Sequence, residues 1–357
     1  MNFHLSDDQI ALQDAVRSCV RGIGKGQLHR AAFDSADGHA PEFRDGLVAL
    51  GALGVGIDQD YGGLGLKLVD LALVCEVLGQ EAAPGGYTGH VLAALAVQVA
   101  GSPEQKQRWL PRLADGSSIA TVALGGAQGW EPEDWTLRVE DSKLNGAGGF
   151  AVGADAADLV VVGLAGGGLT IVEMAPPSVT ITPLDGSDRS RRLFDLHFTD
   201  AVADPLPIAA GPRIYDALLV LLCADAFGGA SRVMELTADY ARTRVQFGRP
   251  IGGFQGVKHQ LANLLCEVEP CRGLLWYAAL CFDLDLADRS RTIALAKAHL
   301  ADRYMHMARS AIELHGGIGY TWEYDLQIWV KRAMFDFAYG GTPGVLRQRA
   351  VRLGCLD

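Results

Sequence analysis

Arg244-Val245-Gln246-Phe247-Gly248-Arg249-Pro250-Ile251-Gly252-Gly253-Phe254-Gln255 interrupts what is otherwise a helical C-terminal half. Before it, Tyr215 to Thr243 is rich in Ala and Leu and repeats apolar residues at i, i+3 and i+4. After it, Gly256 to Leu284 and Ser290 to Leu314 do the same, so the spacing predicts long helices on both sides of the break. The last of these runs into Glu313-Leu314-His315-Gly316-Gly317-Ile318-Gly319-Tyr320-Thr321, whose paired glycines read as a helix stop.

Upstream, the pattern changes twice. Residues 1–115 read mainly as helices. Ile10, Leu12, Val16 and Val20 recur at roughly helical spacing, Leu68 to Leu78 follows the breaker Tyr61-Gly62-Gly63-Leu64-Gly65-Leu66, and Ser102 is placed to cap a helix opening at Pro103. From Gly116 onward short runs with strand character take over: Ile119 to Leu124, Thr136 to Val139, Leu159 to Val162, Leu169 to Glu173 and Val179 to Ile181. Helices, strands and helices again predict an α+β chain with an N-terminal helical domain over 1–115, a middle β domain over 116–205 and a C-terminal helical bundle over 206–357.

Composition narrows the function classes. A chain of 357 residues with 49% hydrophobic and 20% charged residues can bury a large core. Its formal charge of -11 argues against a general binder of phosphate backbones, so nucleic acid is not an expected partner. The longest apolar stretch, Ala217 to Ala224, is too short to cross a bilayer, and Met1 to Asp8 lacks the basic start and apolar core of a signal peptide; a cytoplasmic location and no membrane partner are expected. Cys19, Cys75, Cys223, Cys266, Cys271, Cys281 and Cys355 are scattered without a C-x-x-C pair, which predicts buried reduced thiols rather than a disulfide framework or a metal site. His259 and His299 lie in helical segments with no metal-ligand companions at useful spacing, and His315 does not face Glu313 on a helix.

The segment from Arg244 to Gln255 resembles the R-x-x-F-G-x-x-I-x-x-F-Q signature of acyl-CoA dehydrogenases, and Glu313 to Thr321 resembles that family's Q-x-x-G-G-x-G signature. Tyr61-Gly62-Gly63-Leu64-Gly65, Glu104-Gln105-Lys106 and Trp109-Leu110-Pro111 extend the resemblance over essentially the whole chain. It implies an N-terminal helical domain, a middle β domain and a C-terminal four-helix bundle, assembled as tetramers that desaturate an acyl-CoA thioester and pass a hydride to FAD. It also implies that Arg244, Phe247, Gln255, Glu313, Gly316 and Gly317 grip the ADP half of a FAD whose flavin ring sits in a neighbouring subunit. An arginine suits a pyrophosphate through paired charge-assisted hydrogen bonds, Phe247 offers an aromatic wall, and the glycines permit close backbone approach. Glu313 stands where the family usually has glutamine, and its carboxylate would repel pyrophosphate unless paired or turned away.

Three departures from the family pattern point the same way. Removing a proton α to a thioester needs a base, usually the glutamate of Y-E-G-T; here the segment is Tyr339-Gly340-Gly341-Thr342, and Gly340 cannot accept a proton. The alternative base position, at the start of the first C-terminal helix, falls on Leu218. In the β domain, the flavin-holding segments of T-E-P-x-x-G-S and W-I-T type are represented by Ala123-Leu124-Gly125-Gly126-Ala127-Gln128-Gly129 and Phe150-Ala151-Val152-Gly153, which lack the expected polar groups; the first reads as a surface turn. Finally, Arg332 replaces the Asp of an R-D-A segment.

The resemblance therefore implies a subunit with no catalytic residue of its own, sharing FAD with a catalytic acyl-CoA dehydrogenase partner in an α2β2 heterotetramer. The partner would hold most of the acyl-CoA, as in the heteromeric enzymes of actinobacterial steroid side-chain breakdown. Two other readings stand beside it. One is a self-sufficient dehydrogenase with Asp216 as a displaced base, although Asp216 also suits a helix start. The other is a non-redox acyl-CoA-binding or scaffold protein.

Overall fold

The structure is a computed structural model that describes residues 4–35, 38 and 40–354. Six helices come first: α1 (Asp7–Gly22), α2 (Leu28–Asp34), α3 (Pro41–Ala49), α4 (Leu68–Gln80), α5 (Tyr87–Ala100) and α6 (Pro103–Ala114). Ser6 and Ser102 each accept a hydrogen bond from the backbone N–H three residues on, while Gln9 and Gln105 reach back to the cap, so both capping boxes close.

The sheet follows, as β1 (Ala120–Ala123), β2 (Val139–Glu140), β3 (Lys143–Ala147), β4 (Ala151–Val152), β5 (Leu159–Leu164), β6 (Gly168–Glu173), β7 (Val179–Leu184) and β8 (Leu193–Pro205). Its order is β1-β5-β6-β8-β3-β2, with β4 and β7 also paired to β8. Strand β1 runs parallel to β5 and the other pairings are antiparallel. Strand β8 is the spine that joins the two halves. Thr136 to Arg138, expected as strand, is irregular, and pairing begins only at Val139.

Helices α7 (Gly211–Thr243), α8 (Gln255–Val268), α9 (Cys271–Asp283), α10 (Arg289–His315), α11 (Leu326–Ala338) and α12 (Pro343–Gly354) complete the chain, with a two-strand hairpin, β9 (Val245–Gln246) and β10 (Arg249–Pro250), between α7 and α8. The segment Gly256 to Leu284 is two helices rather than one, because Pro270 supplies no N–H and interrupts the ladder. Helix α7 is long and apolar enough to cross a membrane, yet 83% of its most apolar window is buried between α4 and α10, so it is the core of the bundle. Cys75, Cys223, Cys271 and Cys281 are buried, but Cys19 is half-buried and Cys266 exposed, against the expectation of uniformly buried thiols; Cys355 lies outside the described residues.

Candidate functional site

The two signature segments leave the bundle from neighbouring helix ends. Tyr240, in the last turn of α7, donates its hydroxyl to the carbonyl of His315 at the end of α10 (3.2 Å), and the two rings stack at 4.3 Å. Burial lowers the His315 pKa, so the imidazole serves here as a neutral packing group. Just beyond Tyr240, the hairpin is closed by Ile251 N–H donating to Arg244 carbonyl oxygen at 2.8 Å.

Phe247 sits at the hairpin tip with φ +51° and is 93% exposed, an unusual state for a phenylalanine. Phe254 stands edge-on to it at 6.1 Å, and the Arg249 guanidinium lies 4.1 Å above the Phe254 ring. Arg244, Gln255, Glu313, Gly316 and Gly317 are all exposed as well. Every residue expected to touch the ADP half of a cofactor thus points away from this chain's own core.

The opposite holds at the expected base. Gly340 has φ +75°, and a methyl carbon there would meet Leu222, Leu219 and Leu218 at 2.9, 3.3 and 3.9 Å. The Tyr215 hydroxyl donates to the Gly340 carbonyl (2.8 Å), tying this loop to the first turns of α7. The space between Leu218, Leu222 and Tyr339 measures about 20 Å³, room for a water molecule and not for an acyl chain.

Beside it, aromatic rings close the face between the sheet and the bundle. Trp130 packs edge-on against Tyr339 at 4.5 Å and tilted against Phe150 at 5.7 Å, and Phe335 stacks on Tyr339 at 4.8 Å. Tyr339 donates to the Phe150 carbonyl at 3.0 Å. Any side chain at Gly125 would collide with the Trp130 ring. Ala127 and Gln128 are exposed at the tip of a turn bridged between Gly126 and Gly129, but Ala123, Leu124 and Gly125 are buried, so only the second half of the glycine-rich stretch is a surface turn.

Asp216 does not face Gly340. Its carboxylate is buried, accepts the Ser290 hydroxyl at 2.5 Å, and lies 3.5 Å from Arg289 and 3.7 Å from Arg349. Burial raises its pKa while these partners oppose the shift. Arg349 in turn pairs with Glu131 at 2.8 Å, and Arg352 also pairs with Glu131, so α12 pins the loop that carries Trp130.

Arg332 anchors a larger buried network that sequence reasoning left without a role. Its Nε donates to Asp188 (2.6 Å), its Nη1 to Asp225 (3.2 Å), and its Nη2 to the Ala83 carbonyl (3.0 Å) and the Ser190 hydroxyl (2.5 Å). Arg191 donates to Asp225 at 2.8 Å and to the Gly85 carbonyl at 2.6 Å. Burial opposes charge on Asp225, but Arg332 and then Arg191 hold its pKa below the usual carboxylate range. One signal for this network was present in the sequence: Asp225 sits immediately after the apolar run Ala217 to Ala224, where a lone acid needs a buried cation. Among the described residues, no group of three or more His, Cys, Asp or Glu side chains is placed to hold a metal ion.

Comparison with known proteins agrees with this architecture. Residues 6–117 match the model of the acyl-CoA dehydrogenase N-terminal domain, and residues 220–353 that of the C-terminal domain. The chain is 31% identical over 342 residues to acyl-CoA dehydrogenase IpdE2 of Mycolicibacterium smegmatis, covering 95% of this chain and 96% of that protein. Among solved structures, a chain of the Tcur3481-Tcur3483 steroid ACAD G363A variant superposes with a TM-score of 0.90 at 29% identity, covering 98% of this chain and 99% of that one. A chain of the ChsE4-ChsE5 complex from Mycobacterium tuberculosis shares the fold, with a TM-score of 0.89 at 24% identity and full coverage of both chains.

Proposed function

Because this chain belongs to the acyl-CoA dehydrogenase family, we propose that it is a non-catalytic subunit of a FAD-dependent acyl-CoA dehydrogenase, completing from across a subunit boundary the flavin site of a catalytic partner in an α2β2 assembly. The observation that carries this reading is the contrast between the two ends of α7. At one end the expected base positions are Gly340 and Leu218, packed together with about 20 Å³ between them and Tyr339. At the other, Arg244 and Phe247 stand exposed on a hairpin.

The donor set fits a nucleotide diphosphate at the exposed end. Arg244 would pair with the pyrophosphate, Phe247 and Gln255 would line the nucleotide, and Gly316 and Gly317 would let the backbone come close, with exposed Glu313 free to turn into solvent. The chain's own flavin-holding stretches offer few polar side chains, and Trp130, Phe150 and Tyr339 pack on one another beside them. Bound FAD supplies the hydride acceptor for α,β-desaturation. This subunit orients the nucleotide and contributes no base.

The steroid named in the Tcur3481-Tcur3483 relative supports a bulky steroid acyl-CoA as the substrate class. The test is an absorbance spectrum and a native mass of the chain purified alone and coexpressed with its catalytic partner. A chain that is colourless alone and part of a yellow α2β2 complex, with one FAD for each pair of unlike subunits, supports the proposal. A yellow homo-oligomer of this chain that bleaches on addition of an acyl-CoA would sink it.

A further inference from the structure

A cavity with mainly apolar walls lies away from the aromatic plug, on the other side of the first turn of α5. A cleft of about 300 Å³, open on one side, lies between α3, the start of α5, the start of β1 and the turn after β4. Phe43, Leu47, Leu53, Tyr87, Ile119 and Val152 form its apolar walls. That volume falls within the range of small-molecule sites, and leaving such walls unoccupied forfeits dispersion contacts.

The polar atoms inside are already committed. The Tyr87 hydroxyl donates to the Ala52 carbonyl at 3.0 Å. His90 uses both ring nitrogens, with Nδ1 accepting from the Ala120 N–H at 3.2 Å and Nε2 facing the Leu113 carbonyl at 3.1 Å. The body of an occupant must therefore be apolar.

The mouth is different. Arg44 and Arg192 line it against one acid, Asp155. Arg44 is exposed and bonds to the adjacent Asp45 at 3.3 and 3.4 Å. Such a contact is weak, and a guanidinium can exchange it for a bidentate carboxylate.

We propose that this cavity binds an apolar monocarboxylate, its hydrocarbon body between Phe43, Leu47 and Ile119 and its carboxylate at Arg44. The cavity adjoins the small space beside Gly340, with Gly85, Gly86 and Val152 lining both. It does not depend on the shared-flavin reading.

The test is equilibrium dialysis of radiolabelled dodecanoate against the purified chain, alongside dodecanol. Saturable binding of one dodecanoate per copy of this chain is expected. Leu47→Trp, which fills the cavity, should weaken it at least about tenfold, and Arg44→Gln about tenfold for dodecanoate with no change for dodecanol. If Leu47→Trp fails to fold by circular dichroism, Ile119→Phe at the half-buried wall takes its place. No saturable binding up to about 1 mM, or binding indifferent to the filling variant, would overturn the site. Equal affinity for dodecanol together with an inert Arg44→Gln would overturn the carboxylate assignment.

Discussion

Leu218 faces Gly340: a methyl carbon built on the glycine would stand 3.9 Å from Leu218 Cδ2, and closer still to Leu219 and Leu222. The two positions at which relatives are expected to place a base are therefore neighbours here, and both are apolar. Restoring one acid cannot restore the site, because the volume it would need is taken by leucine.

Gly340→Glu is accordingly expected to destabilise the chain without creating a base. The residue would be forced to φ +75° and into Leu222, for a combined cost of about 2–4 kcal/mol. Chemical denaturation of the variant measures it. A stable variant that oxidises acyl-CoA without a partner would contradict the packing described above.

Arg332→Leu should cost about 3–5 kcal/mol, since it leaves Asp188 and Asp225 in the core with their shared cation removed. Denaturant midpoints of wild type and variant decide the matter. Arg332→Lys should recover little of the loss, because an ammonium cannot reach Asp188, Asp225, Ser190 and the Ala83 carbonyl together.

Asp336 gives a pH dependence. It is buried beside that network and Lys297, and burial followed by the charge of Asp225 pushes its pKa well above the usual range, against the opposing pull of Arg332 and Lys297. The unfolded chain releases this proton at about pH 3.9. Between that value and the raised one the folded state holds the extra proton, so stability contributed by this group falls as pH rises. Asp336→Asn removes the dependence, and its melting temperature relative to wild type should climb between about pH 5 and about pH 8. A difference that stays flat would mean that Asp336 ionises normally.

Asp216→Asn separates structural from catalytic roles. The side chain serves Ser290, Arg289 and Arg349, so the change should lower stability by about 1–3 kcal/mol and leave turnover of the coexpressed complex unchanged. Loss of turnover in a folded, FAD-loaded variant would point back to Asp216 as a base.

Arg244→Ala and Phe247→Ala should leave the unfolding midpoint of the isolated chain unaltered, because both side chains stand outside its core. In the complex they should lower FAD content, read from the ratio of flavin to protein absorbance. Retention of full FAD by both variants would remove the trans-binding role.

Much of this was legible in the chain itself. Periodicity marked α7 and α10, Ser102 marked the start of α6, and the order of helices, strands and helices foretold the layers. Strand β8 escaped notice although Phe194, Leu196 and Phe198 alternate with Asp195, His197 and Thr199; its length, running on past the positive φ of Asp200, is set by partners on both sides. That Gly340 carries no acid could be read from the sequence, but its leucine surroundings could not, since Leu219, Leu222 and Trp130 reach the region only through the fold. Arg332 stood out as a basic residue in an unexpected place. Its partners lie 107 and 144 positions away, beyond any local pattern.

Helix α7 runs unbroken from Gly211 to Thr243, so Leu218 and Arg244 are held about 40 Å apart at 1.5 Å per residue. Over that distance two unit charges interact by only about 0.4 kcal/mol even at an effective dielectric of ~20. The helix therefore acts as an insulating rod: a carboxylate absent from one end changes little in the field at the other. On the proposed reading, chemistry and cofactor grip would be separable properties of a single polypeptide.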